Sequence, residues 1–387
     1  MSETFEYAVI GLGALGSATA YQLAKRGHSV LGLERFELGH NRGASHDSSR
    51  ILRHSYHTAS YVELTRAAYD DWATLEVDVG ESLVTVTGGL DLFPPGGAIP
   101  IDDYERSLSA VGIPHELLSV DEVQHRWPAF RLPGDTVGLY QERGAIVPAG
   151  RGTAVMRARA AAYGAVLRDR SPVTSVRDLG AAGVEVSVGE TTHRCRRVVV
   201  CADAWTNQVL AGLGAELPLT VTLEQVTYFQ PPEIMPFEPG HLPLWIWMDE
   251  PCFYGFPTYG EPTVKAAQDC GGPPVDPDLR SFERDFDMQR RLAAHMAEML
   301  PGSGPVVRSL RCQYTLTPDR DFLIDLVPGS DAVYVALGAA HGFKFAPTFG
   351  RLLADLAETG ETDFDLQPFR YDRPGLMDPG FEANWMV

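Results

Sequence analysis

The sequence predicts an α/β protein in which a discontinuous Rossmann-type domain is joined to a β-rich α+β domain. An apolar run enters the glycine-rich segment GLGALG, which is followed by a helical pattern and a second apolar run ending at Glu34. Residues 198–201 have the composition of a further buried strand. Other regions are rich in Pro and Gly and contain short alternating strands. Strands that alternate with helices predict a parallel sheet, and the short alternating strands predict a second, separate sheet.

The N-terminal segment predicts a strand over residues 7–10, a helix over 14–25 and a strand over 29–33. The helical segment is rich in helix formers and ends before Gly27. The same reasoning predicts further helices over residues 63–76, 154–163 and 342–358.

Gly11, Gly13 and Gly16 form a GxGxxG motif at the turn between the first strand and the first helix. Glycines at these positions allow a pyrophosphate to approach the N-terminus of the helix, where free N–H groups favour an anion. Glu34, at the end of the next strand, can accept hydrogen bonds from ribose hydroxyls. The motif therefore predicts a dinucleotide site, without distinguishing FAD from NAD.

Composition excludes several classes of function. The chain has 387 residues, of which 44% are hydrophobic, and its formal net charge is -19. This charge disfavours nucleic acids and anionic membranes as general partners. No apolar stretch is long enough to cross a membrane and no signal-like segment is recognised, so we expect a cytoplasmic protein. The cysteines show no CxxC spacing and predict neither a disulfide framework nor a metal site: Cys195, Cys201, Cys252, Cys270 and Cys312.

Changes in composition along the chain predict two interleaved domains. Residues 1–83, 146–216 and 309–387 are assigned to the cofactor domain. Residues 84–145 and 217–308 are assigned to a β-rich substrate domain that is inserted twice.

Two arginines three residues apart, Arg50 and Arg53, lie in the segment HNRGASHDSSRILRHSY. At this spacing both guanidinium groups can lie on one side of the chain, where they could hold a carboxylate or lie against a planar ring. The alternative is a solvated basic turn. Ser45, Ser48 and Ser49 favour contacts of this segment with a cofactor.

Near the C-terminus, Cys312 lies in RCQYTLTPDRDFLIDL, and GAAHGFKF follows at residues 338–345. A cysteine thiolate is well suited to add to an oxidised flavin ring, because it is a strong nucleophile. The alternative is that Cys312 is simply a small buried apolar residue.

Together with FYGFP and PTVKAAQD, these motifs resemble, in order and spacing, those of the monomeric sarcosine oxidase family, which includes N-methyltryptophan oxidase. The resemblance covers essentially the whole chain. It implies a glutathione-reductase-like FAD-binding domain and the activity of a flavin amine oxidase.

The resemblance also implies roles for individual residues. Cys312 would carry FAD through a thioether to the 8-methyl carbon of the ring. Arg53 and Lys344 would hold the substrate carboxylate, and Arg50 would lie on the opposite side of the flavin. Lys265 would promote reduction of oxygen, although a lone lysine in a strand is ordinarily a surface residue. Further catalytic candidates are Tyr254, Tyr314 and His341. The complete set of cofactor-binding candidates is Gly11, Gly13, Gly16, Glu34, Ser45, Ser49, Arg50, Val173, Cys312, Gly342 and Lys344.

Some residues depart from the family pattern or leave alternatives open. Asp269 stands where characterised sarcosine oxidases have histidine, and Asp203 stands where relatives usually have glycine. Trp245 and Trp247 share one face of a strand. They either pack within the sheet or face the flavin and bind a bulky substrate.

These inferences lead to one expected reaction, in which a secondary amino acid is oxidised to an imine and O2 is reduced to H2O2. The expected partners are a small amino acid and oxygen, and the family implies a monomer. The alternatives are a biosynthetic oxidase of a cyclic amine or imine acid, a flavin dehydrogenase with another electron acceptor, and a non-catalytic flavin-binding protein.

Overall fold

The fold is described from a computed structural model of the chain. It describes residues 4–378 and residue 381. The outermost ends of the two terminal domain segments expected from the sequence lie outside the described residues. The strands are β1 (Thr4–Ile10), β2 (Val30–Leu33), β3 (Ser49–Leu52), β4 (Thr85–Val86), β5 (Gly89–Phe93), β6 (Glu116–Leu118), β7 (Val137–Gln141), β8 (Ala145–Pro148), β9 (Val166–Arg168), β10 (Val173–Asp178), β11 (Val184–Val188), β12 (Thr191–Val200), β13 (Thr220–Phe229), β14 (Leu244–Trp247), β15 (Phe253–Gly255), β16 (Val264–Gln268), β17 (Val306–Leu316), β18 (Leu323–Leu326) and β19 (Val333–Leu337).

The α-helices of the described residues include the three expected from the sequence in the first two-thirds of the chain and a long helix near the C-terminus. They are α1 (Ala14–Lys25), α2 (Ala59–Val79), α3 (Ile101–Val111), α4 (Val120–Arg126), α5 (Ala149–Ala162), α6 (Thr206–Leu210), α7 (Phe286–Met299), α8 (Ala346–Thr359) and α9 (Pro374–Met377).

The first sheet has a parallel centre. β1 pairs in parallel with both β12 and β2, β2 pairs with β9, and β12 pairs with β19. Successive residues of β1 belong to different apolar clusters, with Tyr7 and Val9 in one and Ala8 and Ile10 in the other. The sheet is therefore covered on both faces, as expected for a Rossmann-type sheet. This arrangement confirms the α/β fold class that the sequence predicts.

Helix α1 is almost enclosed, because it packs against both α5 and α8. Its buried side chains are mostly small, which allows the neighbouring helices to approach closely. At the contact with α8, a Cβ atom added to Gly350 would lie 2.5 Å from the carbonyl carbon of Ala18. The approach of these two helices thus depends on the absence of a side chain at Gly350.

The second sheet has the strand order β17-β13-β16-β15-β14-β5-β7-β6, and β3, β8 and β4 form a small third sheet. Helix α7 covers one face of the second sheet, where Leu292, Met296 and Met299 join the apolar cluster of Trp245 and Phe253. We retain the division into two domains as a proposal. It is supported by the second sheet, which contains β5, β6, β7, β13, β14, β15 and β16 from the two inserted segments and also β17.

The cysteines named above are all free in the structure. Among residues 4–378 and 381, no cluster of potential metal ligands is found, and no helix is sufficiently long and apolar to cross a membrane.

The close packing of α1 and α8 leads to a prediction about stability. Replacing Gly350 with alanine places a methyl group against the backbone of Ala18. We expect the free energy of unfolding to fall by about 1–3 kcal/mol, as is typical of overpacked sites. Helix propensity alone would favour alanine by about 1 kcal/mol, so a net loss reports the steric clash. Urea denaturation of the two proteins measures the difference.

Gly134 provides the control, because no atom lies within 4 Å of a Cβ added there. Gly134→Ala should leave the unfolding midpoint nearly unchanged. Equal stability of Gly350→Ala and the wild type would show that the two helices can separate at little cost.

Candidate active site

A cavity of about 590 Å³ is lined by residues of both large sheets. Its size is within the range usual for cofactor and ligand sites. Most residues predicted from the sequence line it, namely Gly11, Gly13, Glu34, Ser45, Arg50, Arg53, Val173, Tyr254, Cys312, Tyr314, His341, Gly342 and Lys344. The predicted residues that do not line it are Gly16, Ser49, Trp245, Trp247 and Lys265.

The glycine turn is packed too tightly to accept side chains. Gly11 has φ +91°, and a Cβ added to it would lie 2.4 Å from the carbonyl oxygen of Cys201. A Cβ on Gly16 would lie 1.8 Å from the carbonyl oxygen of Gly11. Gly16 thus packs against the backbone of the turn and does not line the cavity. Gly13 precedes the first residue of α1 and lines the cavity. This shape fits a pyrophosphate at the N-terminus of a helix.

Glu34 is fixed at the end of β2 as a buried hydrogen-bond acceptor. Its Oε2 accepts a hydrogen bond from the backbone N–H of Leu12 at 2.8 Å, and its Oε1 accepts one from Phe36 at 3.1 Å. His40 Nε2 lies 3.4 Å from the same carboxylate. Burial alone would raise the pKa of Glu34, but these hydrogen-bonding partners lower it overall. An ionised carboxylate held in this way suits the ribose of a dinucleotide.

Arg50 organises the loop that precedes β3. Its Nη1 donates to the carbonyl oxygen of Ser49 at 2.8 Å. Its Nη2 donates to the carbonyl oxygens of Ala44 at 2.7 Å and His46 at 3.0 Å. Ser45, inside this loop, accepts a hydrogen bond through Oγ from the first N–H of α1, on Ala14, at 2.9 Å. Arg50 therefore holds the loop together and lines the cavity, while Ser45 joins the loop to the dinucleotide turn.

Lys265 is buried in β16 and is held by an ion pair. Its Nζ lies 2.6 Å from Oδ2 of Asp47 and donates to the carbonyl oxygen of Ser49 at 3.0 Å. Burial lowers the pKa of Lys265 to about 8 although Asp47 opposes this shift. Tyr228 donates to the other oxygen of Asp47. Asp47 lines the cavity and Lys265 lies behind it, so the lysine is not the surface residue that its isolated position in the sequence allowed.

Sequence reasoning missed Asp47 and Asp91, the acidic partners of the buried cations. Asp47 has φ +75°, an uncommon conformation for a residue other than glycine. Asp91 is the one polar residue in the otherwise apolar strand GLDLF. A lone acid in such a strand is a recognisable signal, because a buried carboxylate needs a partner.

Arg53 and Lys344 line the cavity from different elements. Arg53 Nη1 lies 3.1 Å from Oδ2 of Asp91 and 3.3 Å from Oγ of Ser55. Lys344 Nζ donates to the hydroxyl of Tyr56 at 2.8 Å and to the carbonyl oxygen of His341 at 3.0 Å. The structure therefore brings together two residues that are separated by most of the chain.

Lys344 and Arg53 differ in how their positive charge is compensated. The pKa of Lys344 is lowered to about 7, because burial and the neighbouring Arg53 disfavour its ammonium form. The carboxyl of Asp91 has a raised pKa, because burial outweighs the favourable charge of Arg53. Within the described residues, Lys344 has no carboxylate at ion-pair distance. An anionic ligand would therefore be most strongly attracted by Lys344.

Cys312 lines the cavity from β17, next to the two tyrosines predicted from the sequence. Tyr254 and Tyr314 approach each other with 3.3 Å between their hydroxyl oxygens. Burial raises the pKa of Cys312 to about 11, although Arg50 favours the thiolate. The thiol is therefore protonated near neutral pH in this structure.

His341 and the residue that departs from the family pattern, Asp269, form part of the same wall. His341 Nε2 lies 3.0 Å from the carbonyl oxygen of Arg320. Arg320 in turn forms an ion pair with Asp269 at 3.1 Å. Burial and the charge of Lys344 hold the pKa of His341 well below its usual value, so its ring is neutral. Asp269 thus places a paired carboxylate, rather than an imidazole, at the cavity.

Trp245 and Trp247 lie on the face of β14 that is turned away from the cavity. Their rings pack around His295, with ring centroids 6.3 Å and 5.5 Å from its imidazole. Ile246 and Met248, on the opposite face, line the cavity instead. Because side chains alternate along a strand, only one of these pairs can face the ligand. We therefore remove both tryptophans from the substrate-binding residues.

Comparisons with known proteins agree with this geometry. Residues 6–356 match the family described as FAD dependent oxidoreductase. The monomeric sarcosine oxidase of Streptomyces avermitilis is 35% identical over 98% of each chain. The N-methyl-L-tryptophan oxidase of Yersinia pestis is 27% identical and covers 95% of this chain and 99% of its own. The structure of NikD, "an unusual amino acid oxidase essential for nikkomycin biosynthesis", has a TM-score of 0.84 and 29% identity, covering 95% of this chain and 98% of NikD.

These similarities extend over almost the whole chain and include both the glycine turn and the cavity. The chain therefore belongs to the FAD dependent oxidoreductase family and, within it, to the sarcosine and N-methyltryptophan oxidase group of FAD-dependent amine oxidases.

Proposed function

We propose that the protein oxidises a secondary amino acid to the corresponding imine and reduces O2 to H2O2. The observation that carries this proposal is the pair of buried cations, Arg53 and Lys344, in the wall of a cavity that the dinucleotide turn also lines. Asp91 already compensates Arg53, but Lys344 is buried without a carboxylate at ion-pair distance among the described residues, and such a charge is unfavourable unless an anion joins it. The names of the relatives support a secondary amino acid, whose carboxylate would be that anion.

The carboxylate would bind between the two cations. Within the described part of the chain, only Nη1 of Arg53 is engaged, by Asp91 and Ser55, which leaves the rest of the guanidinium group available. Lys344 would supply a second hydrogen bond together with most of the attraction. Contacts at both oxygens would fix the orientation of the carboxylate and, with it, the neighbouring C–H bond.

FAD, when bound, supplies a two-electron acceptor. In the overall reaction the amine loses two electrons and two protons to become an imine, and O2 gains them to become H2O2. After release, the imine would be hydrolysed by water or would cyclise. The neutral ring of His341, whose Nδ1 has no hydrogen-bond partner among the described residues, lines the same cavity. The residues of this pocket would orient the neutral amine.

Lys265 would assist the oxygen half of the reaction. Its ammonium group is fixed by Asp47 and by Ser49, next to the loop that Arg50 organises. A positive charge that is already in position stabilises the negative charge that develops on oxygen as it is reduced. The partial compensation by Asp47 keeps the lysine charged despite its burial.

Cys312 would hold FAD covalently. It lies on the cavity wall with Tyr314, and its raised pKa means that a proton must be removed before its sulfur can act as a nucleophile. Arg50 and Lys265 both favour its thiolate form. We also keep a monomeric state and a cytoplasmic location as part of the proposal; the first is supported by the names of relatives.

A second candidate is a biosynthetic oxidase of a cyclic amine or imine acid. The similarity to NikD, described as an unusual amino acid oxidase, favours it. Product analysis with sarcosine, N-methyltryptophan, proline and pipecolate would separate the two candidates. Peroxide formed at the rate of substrate turnover would exclude a dehydrogenase that uses another acceptor.

The pKa of Lys344 leads to a prediction about pH. A bound carboxylate favours the ammonium form, so the complex keeps its proton to a higher pH than the free site, whose pKa is about 7. The dissociation constant of a simple carboxylate such as propionate should therefore rise as the pH increases through about 7, by up to roughly tenfold per unit. Titrations followed by the visible absorption of bound flavin measure this change.

Two lysine variants provide the controls for this prediction. Lys344→Met should bind propionate weakly, with a dissociation constant that hardly changes with pH. Lys265→Met should keep the wild-type profile, because Lys265 does not line the cavity. A wild-type pH profile in Lys344→Met would contradict the assignment.

Replacing Lys265 with methionine should slow oxidation of the reduced enzyme by O2. We expect a loss of about 100-fold, which is typical when one fixed electrostatic contact is removed. Anaerobic reduction by substrate should change by only a few-fold. Stopped-flow measurements separate the two half-reactions, and Lys25→Met is the matched control, because Lys25 is an exposed lysine at the end of α1 that does not line the cavity. Equal losses in both half-reactions would count against a role in the oxygen step.

Cys312→Ala should release FAD when the protein is precipitated with acid, whereas the wild type should keep its yellow colour in the pellet. The physical reason is that only a covalent bond survives denaturation. Cys252→Ala is the matched control, because Cys252 is another buried cysteine that lines the cavity. Release of FAD from the precipitated wild type would rule out covalent attachment.

A further inference from the structure

One carboxylate in the cavity wall is held by the protein on one side only. Asp269 directly follows β16 and lines the cavity, and its Oδ2 accepts a hydrogen bond from Nη2 of Arg320 at 3.1 Å. Arg320 does not line the cavity, so it holds the carboxylate from behind. Oδ1 of Asp269 forms no hydrogen bond within the described residues and, unlike Nδ1 of His341, is not enclosed. This second oxygen is therefore open to a ligand.

The backbone on both sides of Asp269 is fixed by hydrogen bonds. The N–H of Asp269 donates to the carbonyl oxygen of Cys252 at 2.9 Å. In the turn that follows, the N–H groups of Gly271 and Gly272 donate to Oε2 of Glu224 at 3.0 Å and 3.1 Å. Glu224 is only 2% exposed, so the turn is held from the interior of the protein. These contacts position Asp269 independently of any ligand.

Arg320, the partner of Asp269, is also anchored. Arg373 donates to both oxygens of Asp319, with 2.9 Å between its Nη2 and Oδ1. The same Nη2 donates to the carbonyl oxygen of Asp321 at 3.0 Å. Arg320 lies between these two aspartates in the chain, and its own carbonyl oxygen accepts a hydrogen bond from Nε2 of His341 at 3.0 Å. A carboxylate whose supporting side chain is fixed in this way is suited to orient a ligand.

A series of contacts connects Asp269 with the proposed carboxylate site. Arg320 contacts Asp269 through its side chain and His341 through its carbonyl oxygen. The carbonyl oxygen of His341 in turn accepts a hydrogen bond from Nζ of Lys344 at 3.0 Å. Burial and Arg53 lower the pKa of Lys344, and the charge of Asp269 opposes them. In an α-amino acid the nitrogen is one carbon atom away from the carboxylate, so a substrate held by Lys344 brings its amine into this region.

We propose that Oδ1 of Asp269 accepts a hydrogen bond from the N–H of the substrate amine and so determines the substrate class. The substrates are amino acids whose amine keeps an N–H, which excludes tertiary amines. The inference rests on the proposed function, because it takes the substrate carboxylate to bind at Lys344.

The chemistry of the amine agrees with this role. A protonated secondary amine has two N–H groups, and after it has passed one proton to water the neutral amine still has one. The contact with Asp269 is therefore kept in the form that is oxidised, whereas a neutral tertiary amine has no N–H to donate. A carboxylate only accepts hydrogen bonds, while the histidine that characterised sarcosine oxidases have at this position can also donate. The contact would thus be a particular property of this chain.

The test compares two aromatic carboxylates that differ at one position of the ring. Pyrrole-2-carboxylate has an N–H next to the carbon that bears its carboxylate, and furan-2-carboxylate has an oxygen atom there. Their ring carbons are unsaturated, so neither is oxidised to an imine. Each is titrated into the protein with bound FAD and followed by the visible absorption of the flavin. The wild type should bind the pyrrole about tenfold or more tightly, as expected for one hydrogen bond to a charged acceptor.

Asp269→Asn replaces the acceptor with a side chain of the same shape. Because Arg320 only donates, the asparagine should turn its oxygen towards Arg320 and its NH2 group towards the ligand. The preference for the pyrrole should then disappear or reverse. The matched control is Asp71→Asn, because Asp71 is also paired with an arginine, Arg351, at 3.1 Å and neither residue lines the cavity. This control should keep the wild-type ratio of the two dissociation constants.

A second variant guards against effects of the unpaired arginine. Asp269→Leu combined with Arg320→Met removes the acceptor together with the buried charge behind it, a replacement that folded proteins often tolerate. Its ratio of dissociation constants should also fall to near one. If this double variant fails to bind FAD, the ratio measured for Asp269→Asn decides alone.

The ratio distinguishes a role in specificity from a role in the fold. A wild-type ratio near one, or a wild-type ratio kept in Asp269→Asn, would overturn the proposal. Equal weakening of both ligands keeps the ratio and would assign Asp269 to the structure of the pocket. Failure of the wild type to bind either carboxylate would refute the carboxylate site and with it the proposed function. Equal binding of both would refute only the role of Asp269.

Discussion

Burial of positive charge is the constraint on which the rest of the site depends. Lys265 and Arg53 are each held by an aspartate, Asp47 and Asp91, at distances of 2.6 Å and 3.1 Å. Arg320 is paired in the same way with Asp269. Lys344 differs, because it is held by a tyrosine hydroxyl and a carbonyl oxygen and its pKa falls to about 7. Among these four buried cations, only Lys344 lacks a carboxylate at ion-pair distance within the described residues, and this is where we propose that the substrate carboxylate binds.

The two large sheets keep these charges in position. Lys344 lies in a short helical turn before α8, and its carbonyl oxygen accepts a hydrogen bond from Trp72 Nε1 in α2 at 2.8 Å. Asp91 is placed by β5, where it is only 1% exposed. Because packed helices and strands define these positions, the distances between the charges depend little on flexible loops. Asp47 is the exception, because it lies in a loop. Arg50 holds this loop by donating hydrogen bonds to three backbone carbonyl oxygens in it and at the start of β3.

Prediction from the sequence succeeded where a residue's role depends on its near neighbours in the chain. The first helix was expected over residues 14–25 and is observed as Ala14–Lys25, and the strand expected over residues 7–10 lies within β1, Thr4–Ile10. It was less successful for Trp245 and Trp247, because periodicity groups residues on one face of a strand without indicating what covers that face. Helix α7 and His295 cover the tryptophans, and this requires residues some fifty positions further along the chain.

The sequence by itself determined the Rossmann-type sheet, the glycine turn and the residue types from which the site is built. These features follow from local patterns, since a GxGxxG turn and a 3.6-residue period specify their own geometry. Only the tertiary structure decided how the charges are paired. Asp47 with Lys265, Asp91 with Arg53 and Asp269 with Arg320 join segments that are far apart in the chain, and an ion pair is defined by distance in space.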